Sequence, residues 1–136
     1  NVQKGTITKL NPTSRPKVLV GSSSEMLSVI AEGKQMYIKD EKLYILNNNE
    51  VVSAIAPIVS AQTGLMNTPV QDHIETTFTT KLNPSLRIGH LCELISVTNP
   101  AVNGLYKIWQ IVTSGTYKGA WEQTVTCRAQ NNYVVV

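Results

Sequence analysis

Two histidines and two cysteines are the first residues in this chain whose types could do chemistry. His90 and Cys92 are two apart, which puts both side chains on one face of a strand, and Cys127 falls within a second strand pattern. A zinc site needs about four ligands and a tight CxxC or HxxxH nucleus. The chain has no such nucleus, and His73 is the only further soft ligand. Cys92 and Cys127 therefore read as small buried hydrophobes. They are too few for a disulfide framework and fit a reduced intracellular origin. Nucleophilic catalysis would need a cysteine or serine beside a histidine and an orienting acid. Asp72 and His73 adjoin, but adjacent strand residues point to opposite faces, and no G-x-S-x-G elbow is present. Glu75 and Glu93 read as solvent-facing neighbours across strands, a weak basis for paired-carboxylate hydrolysis. The expectation is that there is no catalytic residue, no metal and no cofactor.

Composition agrees with a chain that folds. Of 136 residues, 42% are hydrophobic and 15% charged, which argues against wholesale disorder. Twelve basic and nine acidic residues leave a formal charge of +3. They form no run of like charge, so neither a nucleic-acid tail nor a polybasic membrane patch is supported. The longest apolar-leaning run, Val51 to Val59, contains Pro57 and is too short to span a bilayer, so no stable membrane association is expected. The apolar end at Val134-Val135-Val136 reads as that of a domain cut from a longer protein.

The elements that would position these residues fall into two styles. Residues 1–16 read as an incoming arm, with a strand over Val2–Leu10 and a breaker over Asn11-Pro12-Thr13-Ser14-Arg15-Pro16. Residues 17–56 read as a small α/β unit. It holds a short strand at Lys17–Val20, a helix capped by Ser22-Ser23-Ser24 with Glu25 in its first turn, and a stop at Gly33. The helix is followed by a hairpin, Met36–Lys39 and Leu43–Leu46, turned at Asp40-Glu41-Lys42. Residues 57–136 read as all β. His73–Leu82 alternates, with Ile74, Thr76, Phe78 and Thr80 on one face. Asn83 and Pro84 force a turn, and Gly89 opens a strand over His90–Val97. Strands at Leu105–Thr113 and Trp121–Ala129 flank a tip with two glycines. About five or six short strands at this spacing predict a Greek-key antiparallel β-barrel. The fold class is thus α+β, a helix-plus-hairpin unit followed by that barrel.

The order of turns and strands is itself informative. Thr63-Gly64-Leu65-Met66-Asn67-Thr68-Pro69, then Phe78, Leu82-Asn83-Pro84, Leu86-Arg87 and Gly89, resembles a segment of the tail hub proteins of long-tailed bacteriophages, the contractile-tail hub and late-control type. Gly104-Leu105-Tyr106-Lys107-Ile108, Thr113-Ser114-Gly115-Thr116 and Gly119-Ala120-Trp121 stand where that family has its later motifs, and Ile38 to Ile45 resembles the tail of its small α/β domain. The chain departs from the pattern where Asn67 replaces a glycine, Ile88 a proline, and Thr113 with Thr116 a His and an Asp.

The resemblance implies the C-terminal portion of a structural hub protein of the virion tail tip, assembled in the host cytoplasm. Such hubs form a ring, usually a homotrimer, that joins the tail tube to a central spike or fibre and leaves a channel for DNA. The implied partners are further copies of the chain, neighbouring tail proteins and transient non-specific DNA. Strict alternation over Leu105–Thr113 puts Tyr106, Ile108, Gln110 and Val112 on one face and Leu105, Lys107, Trp109 and Ile111 on the other. Apolar residues on both faces predict a strand covered twice, by the core and by an interface. Leu86, Tyr106, Trp109 and Tyr117 are the candidate interface residues. Gly64, Asn83, Pro84, Gly89, Gly104 and Gly115 are the expected shaping turns. The alternative is a ligand-binding barrel for nucleic acid or carbohydrate, using Tyr106, Trp109, Tyr117, Lys118 and Trp121.

Overall fold

A computed structural model describes residues 2–12 and 15–136; Thr13 and Ser14 of the expected breaker lie outside the described residues. The chain divides into two compact units, Asn1–Asn48 and Asn49–Val136.

The first unit is a three-stranded sheet with one helix. Strand β1 (Gln3–Ile7) precedes helix α1 (Ser23–Ala31), and β2 (Gln35–Lys39) and β3 (Lys42–Leu46) follow. The sheet order is β1-β3-β2. The incoming arm is thus a strand of this sheet, paired parallel to β3. Local chemistry explains the helix boundaries. Ser22 closes a capping box with Glu25: its backbone N–H donates to the Glu25 carboxylate at 2.7 Å, and its hydroxyl accepts from the Glu25 N–H at 3.4 Å. That pair holds the Glu25 carboxyl below its ordinary range, chiefly through the backbone N–H of Ser22. Asp40 and Glu41 both have positive φ and make a two-residue turn between paired Lys39 and Lys42. The expected strand at Lys17–Val20 does not form; Val18 and Val20 are exposed and pair with no strand.

The second unit is built from β4 (Glu50–Val51), β5 (Ile58–Val59), β6 (Val70–Asp72), β7 (Glu75–Lys81), β8 (Leu91–Leu94), β9 (Gly104–Ser114), β10 (Glu122–Ala129) and β11 (Val134–Val135). Six of these form one sheet in the order β5-β8-β9-β10-β7-β6, and β11 pairs parallel with β4. No closed barrel forms among the described residues: β5 and β6 are the two ends of the ladder and do not pair with each other. The sheet is nonetheless strongly curled. Val59 pairs with Leu94 on β8, while Leu65 bridges Thr80 on β7, the opposite side. In a flat sheet those positions would stand about 24 Å apart, at about 4.8 Å per strand. Here the Ser60 carbonyl accepts from the N–H groups of both Thr63 and Leu65, at 3.1 and 2.8 Å. One tight turn therefore spans both margins, and the ladder stays open because that turn, rather than a paired strand, joins them.

The concave side of the curl is the core. Val59, Phe78, Leu86, Cys92, Leu94, Val102, Tyr106, Ile108, Val125 and Cys127 form a single buried cluster. Strict alternation along β9 does not hold. Thr126 pairs with Gln110 but Cys127 pairs with Ile108, so Trp109 is an extra residue, a β-bulge. Beyond it the faces exchange: Tyr106 and Ile108 face the core, and then Ile111 rather than Gln110 or Val112 packs against it.

The expected turns have physical work to do. Gly89 takes φ +79°, donates its N–H to the Ile108 carbonyl and accepts from the Val52 N–H, so a left-handed residue links two segments. Asn83 accepts from the Ser85 and Leu86 N–H groups around Pro84. Gly64 and Gly104 lie at the start of the Leu65 bridge and of β9. At Gly115 the reason is space, since a Cβ there would stand 2.7 Å from Cγ of Trp121. Gly115→Ala is expected to cost about 0.5–1.5 kcal/mol, because the half-exposed Trp121 indole must leave its rotamer. Urea denaturation followed by tryptophan fluorescence checks it, and an unchanged midpoint would show that the indole swings away freely.

Candidate interaction surface of the second unit

The residues weighed for chemistry do not converge. Cys92 and Cys127 are buried free thiols. Cys127 Sγ donates to the Thr76 carbonyl at 3.2 Å, and the neighbouring Cys92 thiol and burial push Cys127 well above the ordinary thiol range. No group of three or more His, Cys, Asp or Glu that could hold a metal occurs among the described residues. His73 has φ +49° in the turn between β6 and β7. The turn corrects two expectations at once. It exposes Ile74, and it brings His73 Nε2 to 3.5 Å from Asp72 Oδ1 instead of on opposite strand faces. Both partners are almost fully exposed, so water screens the pair. Glu75 and Glu93 are not neighbours, because β9 and β10 lie between their strands. Glu75 instead accepts from Arg128 Nη2 at 2.7 Å and Nε at 3.1 Å.

The outer side of β9 and β10 carries a half-buried charged cluster. The Arg128 guanidinium lies 3.9 Å from the centroid of the Trp109 ring, held from behind by Glu75. Lys107, the register partner of Arg128, is fully buried, and its ammonium is 5.8 Å from the same indole. Burial lowers the Lys107 pKa to about 8, with Glu50 on β4 acting in the opposite sense. The bulge aims Trp109 outward into this cluster. One face of the indole is therefore already occupied by Arg128, which weakens Trp109 as a stacking platform for a base or sugar.

Of the four candidate interface residues, the structure places two in the core. Leu86 and Tyr106 are each 4% exposed, and the Tyr106 hydroxyl donates to the Val102 carbonyl at 2.7 Å. Trp109 is half-buried under Arg128, and Tyr117, at the β9–β10 tip, is 98% exposed. The four do not form one patch.

The apolar surface that does form was missed by residue-type reasoning. Met66 and Val97 line a depression of about 330 Å³ together with Ala61 and Leu65, and Asn67, Thr68, Ser96 and Thr98 make up its polar half. Ile95, whose N–H donates to the Val59 carbonyl, and Ile58 on β5 are also exposed beside this margin. Val97 is 85% exposed and Ile55, three residues before β5, is 77%. Asn67 holds the rim: its Oδ1 accepts the Thr79 N–H at 2.8 Å and its Nδ2 donates to the Thr79 hydroxyl at 3.3 Å. An amide side chain thus stands in for a strand partner, which accounts for Asn at a position where the resembling family has glycine. The only signal in the sequence was the apolar run ending at Val59.

The described residues thus offer a curled sheet with exposed apolar side chains at one margin and no convergent set of chemical groups. The chain belongs to the baseplate hub gp41 family, whose model matches residues 6–114. Family membership gives it a structural role in the phage baseplate, at the virion tail, in association with other tail proteins. A search of the curated proteins finds no match.

Proposed function

We propose that the chain is one wall segment of a trimeric hub ring that joins the tail tube to the central spike or fibre and leaves a passage for DNA. The observation that carries this reading is the group of exposed apolar side chains at one sheet margin, Ile58, Ile95, Met66 and Val97, the last two lining a depression of mixed polarity. In a baseplate component, exposed apolar side chains gathered at one margin fit burial against a neighbouring subunit. The strand order supports a Greek-key path, since β8, β9 and β10 follow one another and β10 returns to lie beside the first strand, β7. The meeting of the two sheet margins supports its use as a barrel-like wall. Tyr117 and Trp109 are further contact points, while Leu86 and Tyr106 act from the core by holding the wall rigid. Turnover has no part in this function. DNA in the channel would meet Lys81, Arg87 and Lys118 through weak backbone contacts.

Val97→Glu tests the interface directly, because the side chain is exposed and its replacement leaves the core intact. The variant is expected to self-associate at least about tenfold more weakly, about 1.4 kcal/mol, in sedimentation velocity. Wild type and variant sedimenting alike as the same oligomer would move the interface away from this depression.

A further inference from the structure

The first unit carries an apolar groove that its own helix does not fill. The groove has a volume of about 860 Å³. Its floor is the sheet face: Ile7 from β1, Leu43 from β3, and Met36 and Ile38 from β2, with Leu27 of α1 as one wall. Ala31 is the only buried residue of α1, so the helix seals the sheet near its C-terminal end and leaves the face open beside its N-terminal turn. Ile38 is 61% exposed as a result. What is unsatisfied here is a set of side chains on a sheet face, spread over all three strands. An added strand would satisfy a backbone edge; a second helix laid beside α1 would cover the face.

Charge narrows the occupant further. The first unit holds seven of the twelve basic residues and four of the nine acidic ones, whereas the second holds five of each. The whole formal charge of +3 therefore belongs to the first unit. Lys4 is the charged residue in the groove lining, and Ser23 and Ser24 of α1 stand at the same rim.

We infer that this groove receives an amphipathic helix of another protein, whose apolar stripe is flanked by acidic residues. Its apolar side chains would cover Ile38, Leu43 and Met36, and its carboxylates would meet Lys4. The inference stands apart from the ring reading, because it concerns the first unit alone and requires no self-association.

The test uses the full chain and two synthetic helical peptides of about 18 residues, sharing one leucine stripe flanked either by Glu or by Lys. Backbone amide resonances of the ¹⁵N-labelled protein are followed during titration. The expected result is that the Glu-flanked peptide shifts the resonances of Ile38 and Leu43. Lys4→Glu should weaken its binding at least about fivefold and Ile38→Glu should abolish it, with tryptophan fluorescence from the second unit unchanged. Equal binding of the Lys-flanked peptide, or the absence of shifts at Ile38 and Leu43, would overturn the inference. So would self-association of the chain without peptide that Ile38→Glu removes, since the groove would then hold a second copy. None of these outcomes bears on the Val97 interface, so the two readings fail separately.

Discussion

Phe78→Ala is expected to destabilise the second unit by about 3–5 kcal/mol, the range for emptying a buried aromatic site. Phe78 is the only phenylalanine in the chain and is completely buried on β7. It stands opposite Val125, which in turn pairs with Ile111 across β10 and β9. Its ring therefore sits in the middle of the ladder, within the buried cluster of the curl. Total stabilities of such units are about 5–15 kcal/mol, so the loss is a large fraction of what is available. Both tryptophans, Trp109 and Trp121, lie in the second unit, so their fluorescence during urea unfolding reports on this unit. Phe78→Leu, which keeps most of the volume, should cost under about 1.5 kcal/mol. A loss below about 1 kcal/mol for the alanine variant would mean that the core is centred elsewhere.

The second large effect is a pH dependence written by Lys107. Its side chain is fully buried, and desolvation lowers its pKa from 10.5 to about 8, against the opposing influence of Glu50. Below about pH 8 both folded and unfolded chains carry the proton, and the folded state bears the full desolvation cost, on the order of 3 kcal/mol. Between pH 8 and 10.5 the unfolded state holds the proton more tightly, so Lys107 makes stability rise with pH. Cys127 works in the other direction. Its thiol stays protonated in the folded state while the unfolded thiol titrates near 9, so its contribution falls above that pH. The informative quantity is therefore the difference between wild type and Lys107→Met. Wild type should gain on the variant by about 1.4 kcal/mol per pH unit across pH 8–10 and show a constant difference below pH 8. Chemical denaturation under reducing conditions at a series of pH values measures this. Parallel curves for the two proteins would show that Lys107 reaches water and keeps its ordinary titration.

How far these features could be read from the sequence depends on whether their causes are local. The cap at Ser22 and Glu25, the hairpin at Asp40-Glu41 and the Asn83-Pro84 turn are decided by neighbouring residues, and they formed where the residue types placed them. The long strands at β7, β9 and β10 were legible from alternation. The parallel pairings of β1 with β3 and of β5 with β8 were not, because a strand's partner is set by the whole fold. The bulge at Trp109 was equally hidden: alternation assumes an unbroken period of two, and one extra residue exchanges the faces for the rest of the strand. The same limit explains Leu86 and Tyr106. Large apolar residues mark burial without saying whether the burial is within the chain or between chains. The Met66–Val97 depression is assembled from a loop and a strand end that no periodicity connects.

A ring wall must assemble with copies of itself. Light scattering on the purified chain over a range of concentrations measures its mass in solution directly. A ring component predicts a species of three times the 14.9 kDa chain mass at high concentration, with Val97→Glu displaced toward the single chain. A mass of 14.9 kDa at every concentration would contradict self-assembly of this chain and leave its baseplate role to contacts with other tail proteins alone.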